Sequence, residues 1–243
     1  MKGIWRLGSI KGIPVLVHWS FGLILLWAGY RGYEMDGWHM VGFAVLLTVL
    51  LFVCVLLHEL GHSLMARRFG VQTRSILLLP VGGVAALERM PRRPLHEFLI
   101  AIAGPMVNLV IALVLFACIG IPDSAGYKTW RLETFAELLM YMNLVMIGFN
   151  MIPAFPMDGG RVLRALLATR LSYVRATGIA SLIGQLAAFI MFIYGLNESP
   201  FISLIGVMIF FGARKEYEMV RIRAMMEQGD PPVSASRPFI NIG

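Results

Sequence analysis

Two histidines four residues apart with a glutamate beside the first, His58-Glu59-Leu60-Gly61-His62, are the residues of this chain best suited to do chemistry. Positions i and i+4 of a helix share a face, so both imidazoles can offer a nitrogen to one metal ion. Zinc accepts neutral nitrogen ligands and keeps one coordination position open for water, and a carboxylate next to that water can remove its proton. These types at this spacing point to metal-assisted hydrolysis.

Two imidazoles leave a catalytic zinc one protein ligand short. The chain has four aspartates, Asp36, Asp123, Asp158 and Asp230. Of these, Asp158 alone is expected near a membrane on the same side as the histidines. Glu88 and Glu97 are rival ligands, because soluble zinc proteases commonly use a downstream glutamate. A third reading makes Asp158 a capping or turn residue ahead of Gly159-Gly160. The extended metzincin pattern is absent, since Met65 stands where its glycine would be and Phe69 where its histidine would be.

The elements that must carry these residues are apolar helices. Hydrophobic residues make up 58% of the 243, charged residues only 14%, and the mean hydropathy is +0.75. That composition indicates an integral membrane protein and excludes an ordinary soluble domain. The net charge of +7 does not indicate nucleic acid, because the Lys and Arg residues fall between apolar runs and not on one polar face. Cys54 and Cys118 both lie inside apolar segments and are expected to be buried thiols, Cys54 serving packing and not metal ligation.

The fold expected is an all-α polytopic membrane protein with six transmembrane helices and a small membrane-associated β-hairpin or sheet between the second and third spans. The spans are placed at Pro14 to Tyr30, Trp38 to Ala66, Leu95 to Ile121, about Thr134 to Ile152, Tyr173 to Leu196 and Phe201 to Ala213. The first is a retained span and not a cleaved signal, for it contains His18 and Trp19 and no small-x-small cleavage site follows. Gly70, Pro80, Gly82 and Gly83 rule out one helix between the second and third spans, and short apolar runs there predict paired strands. An exposed strand edge within Ile76 to Leu87, at a position such as Val84, could pair with an extended substrate. Residues 1–213 form the membrane-embedded domain, and 214–243 a charged, then Pro/Ser-rich tail.

Beyond these arguments, the chain resembles the site-2 protease family of intramembrane zinc metalloproteases, peptidase family M50. His58-Glu59-Leu60-Gly61-His62 ends a span. Asn150 stands eight residues ahead of Asp158 in Asn-x-x-Pro-x-x-Pro-x-Asp-Gly-Gly-Arg. Gly82-Gly83-Val84 and Ala103-Gly104-Pro105 with Asn108 also match that pattern. The resemblance implies that His58, His62 and Asp158 hold one zinc, that Glu59 is the base, and that Asn150 steadies the substrate or the oxyanion. It further implies a membrane-protein substrate cut in or near its transmembrane helix. Two other functions fit intramembrane His and Asp residues. A divalent-metal transporter would show internal repeats and paired broken helices, which are not seen. A catalytically inactive binding protein would be expected to lack Glu59.

With six spans, 18 of the Lys and Arg residues fall on one side and three, Arg31, Lys128 and Arg131, on the other. The positive-inside rule then places both termini in the cytoplasm of a multi-pass cell-membrane protein. A single cysteine introduced near Arg92 should be labelled by an impermeant maleimide only from the cytoplasmic side, and one near Lys128 only from outside. Reversed labelling would overturn the orientation.

Overall fold

The structure is a computed structural model that describes residues 3–80, 82–88, 93–120 and 132–227. In chain order it consists of β1 (Ile4–Ile10), β2 (Ile13–His18), α1 (Phe21–Asp36), α2 (Trp38–Arg68), β3 (Thr73–Leu79), β4 (Gly82–Leu87), α3 (Pro94–Ile119), α4 (Leu132–Asn150), α5 (Asp158–Leu167), α6 (Tyr173–Glu198) and α7 (Pro200–Glu227). It divides into two compact units, Met1–Asn150 and Met151–Gly243.

In the first unit, α2 packs against α1 on one side and α3 on the other, and α3 against α4. A four-stranded sheet in the order β1-β2-β3-β4 lies on α2, antiparallel except for the parallel β2–β3 pair. The expected sheet between the second and third spans is present as β3 and β4, but it is joined by two strands that precede α1. The first helix therefore begins at Phe21 and not at Pro14. Residues 13–18 read Ile-Pro-Val-Leu-Val-His, with alternate positions buried. That period of two is the strand signature, hidden in the sequence because it runs directly into apolar helix. Ile13, Val17, Ile76 and Leu78 then form a core with Leu60 of α2.

Among the described residues three helices, α2, α3 and α6, are long and apolar enough to cross a membrane. At 31 residues α2 is about 46 Å long, more than a bilayer core of about 30 Å, so its basic end at Arg67 and Arg68 can reach water. The second unit holds α5, which packs on α6, and the long α6–α7 pair. Two corrections to the sequence reading arise here. The last helix is not a short span ending at Ala213, since α7 continues unbroken to Glu227. The fourth span, placed to about Ile152, ends at Asn150, and a ten-residue helix not expected from the sequence, α5, starts at Asp158.

Arg164 of α5 ties this unit together. It is fully buried, its guanidinium lies 4.8 Å above the Phe155 ring and 4.9 Å from the Tyr173 ring, and Nη1 donates to Glu216 Oε1 of α7 at 2.7 Å. A charge out of water is tolerated only when paired, and flat aromatic faces suit the planar cation. Glu216→Ala would remove this ion-pair partner from a buried charge. It should lower stability by on the order of 3 kcal/mol, read as a fall in Tm in detergent, whereas Glu218→Ala on the exposed Arg214–Glu218 pair should change Tm little.

Candidate metal centre

His58 and His62 stand one turn apart on α2, both buried, with their Nε2 atoms 3.1 Å apart. Each ring is fixed from behind by α3. His62 Nδ1 lies 2.7 Å from the Ile100 carbonyl oxygen, which can only accept, so Nδ1 carries the proton and donates. His58 Nδ1 lies 3.1 Å from Asn108 Oδ1, while Asn108 Nδ2 is turned to Met146 Sδ at 3.4 Å. Both imidazoles are thereby set as Nδ1–H tautomers that aim Nε2 lone pairs at a common point.

Two glycines make this approach possible. A Cβ at Gly61 of α2 would fall 2.8 Å from the Ala103 carbonyl oxygen and 2.8 Å from Val107 Cγ2. A Cβ at Gly104 of α3 would lie 2.6 Å from His62 Cε1 and 2.7 Å from His58 Nε2, and closer still to His62 Nε2. The glycines interlock, each lying where the other helix needs room. Glu59, one residue on from His58, turns toward the sheet, where its Oε2 accepts from the Ala85 N–H of β4 at 2.9 Å. Successive strand residues alternate in direction, so the outward donor is Ala85, and Val84, expected to be the edge position, turns its N–H toward β3.

Asn150 ends α4, with Nδ2 donating to the Met146 carbonyl oxygen at 3.0 Å. Asp158 belongs to the second unit. It is the first residue of α5, buried, with Arg161 Nη1 at 3.9 Å. Gly159 and Gly160 let α5 start hard against the preceding turn, since a Cβ at Gly160 would sit 2.7 Å from Ala154 C and Phe155 N. The rival carboxylates do not join the histidines among the described residues. Glu88 meets Arg74 at 3.4 Å on the exposed part of the sheet, and Glu97 is buried in the first turn of α3. Cys54 accepts from Asn143 Nδ2 at 3.4 Å.

The chain is similar to several known proteins. Residues 46–193 match the family model described as peptidase family M50. The chain belongs to that family, the site-2 proteases. A zinc metalloprotease of Methanocaldococcus jannaschii is 39% identical to this M50 chain over 228 residues, covering 91% of it and 63% of the relative. Rip3 of Mycobacterium tuberculosis, named as a putative zinc metalloprotease, is 34% identical over 237 residues, covering 89% and 59%. The chain thus spans about three-fifths of the length of these curated relatives. The solved site-2 protease from Methanocaldococcus jannaschii superposes with a TM-score of 0.65 at 40% identity, covering 88% of this chain and 95% of that one.

The donor set of this M50 chain fits a zinc ion. Two nitrogens bound at about 2.0–2.1 Å on a tetrahedral ion would be about 3.3 Å apart, close to the observed spacing. The cleft over Gly104 is a cradle that a single methyl group would fill. Sequence reasoning noted Asn108 as part of the family pattern, and the structure gives it His58 as a partner. It did not foresee the Ile100 carbonyl, a backbone group that no side-chain pattern could reveal. Asn108→Ala should weaken zinc binding about 10- to 100-fold. Gly104→Ala should cost more, because the imidazoles must swing away from the new methyl. Metal titration of purified protein, with circular dichroism to confirm retained helix, checks both.

Proposed function

We propose that this chain is a zinc endopeptidase that hydrolyses a peptide bond in or near the transmembrane segment of a membrane-protein substrate. The observation that carries the reading is the pair of buried imidazoles one turn apart on an apolar helix, each ring held at Nδ1 by α3 and the two Nε2 atoms 3.1 Å apart. Ionisable groups at such depth are costly and mark function. His58 lies nine residues, roughly 13 Å of helix, before Arg67, which sets the chemistry inside the bilayer and within reach of cytoplasmic water.

His58, His62 and Asp158 are the proposed zinc ligands. Asp158 is supported by its burial at the start of α5 and by the Asp-Gly-Gly-Arg sequence that resembles the family motif. Bound there, zinc would polarise the scissile carbonyl and make a nearby water acidic enough to attack. Glu59 takes that water's proton and delivers it to the leaving amine. Asn150 keeps one Nδ2 proton on the Met146 carbonyl and has the second to offer to a substrate carbonyl or oxyanion. The substrate must be extended where it is cut, because a helical amide is enclosed by its own hydrogen bonds, and the outer edge of β4 offers backbone groups for such a strand. In the bilayer, α1, α2, α3, α4, α6 and α7 form six spans with both termini cytoplasmic, and the protease domain runs past residue 213 to the end of α7 at Glu227. The charge distribution supports this orientation.

Purified protein should therefore contain one zinc per chain and cleave a model single-span substrate in detergent or nanodiscs. Glu59→Gln should keep zinc and lower kcat at least 100-fold. Asp158→Ala should lose both zinc and cleavage, while Glu88→Ala keeps both. Full metal content in Asp158→Ala would remove Asp158 from the ligand set, and cleavage by Glu59→Gln at the original rate would remove Glu59 as the base.

A further inference from the structure

Glu59 and strand β4 are in closer register than support of a sheet requires. Ala85 pairs with Ile76 of β3, yet its N–H points the other way and donates to Glu59 Oε2 at 2.9 Å. Two residues earlier on the same side, Gly83 lets the strand lie directly on the glutamate. A Cβ there would fall 2.7 Å from Glu59 Cγ and 3.0 Å from Val55 Cγ1. Glu59 is thus gripped at two points, its stem against the bare backbone of Gly83 and its carboxylate by the Ala85 amide. Its neighbours on α2 supply no such restraint. His58 and His62 are oriented by α3, on another side of the helix.

We propose that β4 is the positioning element for the proposed base. The backbone N–H of Ala85 and the missing side chain of Gly83 select the Glu59 rotamer from which the carboxylate serves the site. A glutamate side chain has three rotatable bonds, and an amide donor to a carboxylate is a charge-assisted hydrogen bond, stronger than a neutral one. One such bond suffices to populate a single orientation. Because an amide serves one strong acceptor at a time, Ala85 holds Glu59 and does not also hold substrate. Any strand paired to this edge must take its donors from other residues.

This inference rests on Glu59 acting as the base, and its test separates the two. Ala85→Pro removes the donor and puts ring carbon where the carboxylate sits, at an edge position whose N–H takes no part in the sheet. Zinc content should stay at the wild-type value and KM within about threefold, while kcat falls about tenfold or more. Gly83→Ala should show the same split by prising the strand from Glu59. A wild-type kcat in Ala85→Pro overturns the proposal, as does a raised KM at unchanged kcat, which would assign the Ala85 amide to substrate. A readout free of catalysis is the double variant Glu59→Cys/Gly83→Cys in a Cys54→Ala/Cys118→Ala background. The contact predicts a disulfide that forms with mild oxidant and is lost with dithiothreitol, counted by thiol labelling. Failure to cross-link overturns the docking of β4 on Glu59. Cross-linking in a protein whose wild type cleaves nothing would uphold the docking and discard the protease reading instead.

Discussion

Two imidazoles cannot be held 3.1 Å apart with their lone pairs converging unless something outside the pair fixes each ring. Here α3 does so, through the Ile100 carbonyl and the Asn108 amide, and most of the first unit follows from that requirement. Hydrogen bonds of 2.7 and 3.1 Å from ring to neighbouring helix demand a close crossing. Gly61 and Gly104 make it possible, each lying where the other helix presents bulk. Pro105, inside α3 beside Gly104, cannot donate to the preceding turn, so α3 is locally freed from regular bonding where it faces the histidines. In an apolar surrounding this polar set is coherent only when every member is satisfied.

The second unit solves a different problem, which is to bring a short carboxylate side chain to a defined place after a helix has ended. The chain turns through residues 151–157, with Phe155 buried against Ala180 and Ala213, and restarts as α5 at Asp158. A carboxylate in the first turn of a helix is favoured by the N–H groups exposed there. Gly159 and Gly160 remove the side chains that would otherwise collide with residues 151–155. Arg164 anchors the next turn of α5 between Phe155 and Tyr173 and across to Glu216. The rigidity of the Asp158 segment therefore comes from a buried cation two turns away, joined to the helix that runs on to Glu227.

The sheet links the His58–His62 stretch to the first strands of the chain. β2 and β3 pair in parallel, so strands separated by the whole of α1 and α2 lie side by side, and their buried residues close over Leu60, next to Glu59. The outer strand β4 then meets Glu59 through a backbone amide. One helix thus presents its histidines to α3 and its glutamate to the sheet, as adjacent positions on a helix, about 100° apart, must do.

The sequence by itself marked the candidate chemistry and its setting. His58, Glu59 and His62 are four residues apart or less, local spacing dictates a shared helix, and an unbroken apolar run dictates that the helix is membrane-like. The order of the main helices was legible for the same reason, though the start of the first and the end of the last were not. Tertiary structure decided what spacing cannot encode. Ile13 to His18 could not be told from helix until β3 was beside it, because a short apolar run fits either state and its pairing partner lies about 60 residues away. The tautomers of both histidines hang on a carbonyl and an amide of α3, and the orientation of Glu59 on an amide of β4. Backbone donors and acceptors are common to every residue, so no sequence pattern marks the ones that matter, and only the folded chain selects them.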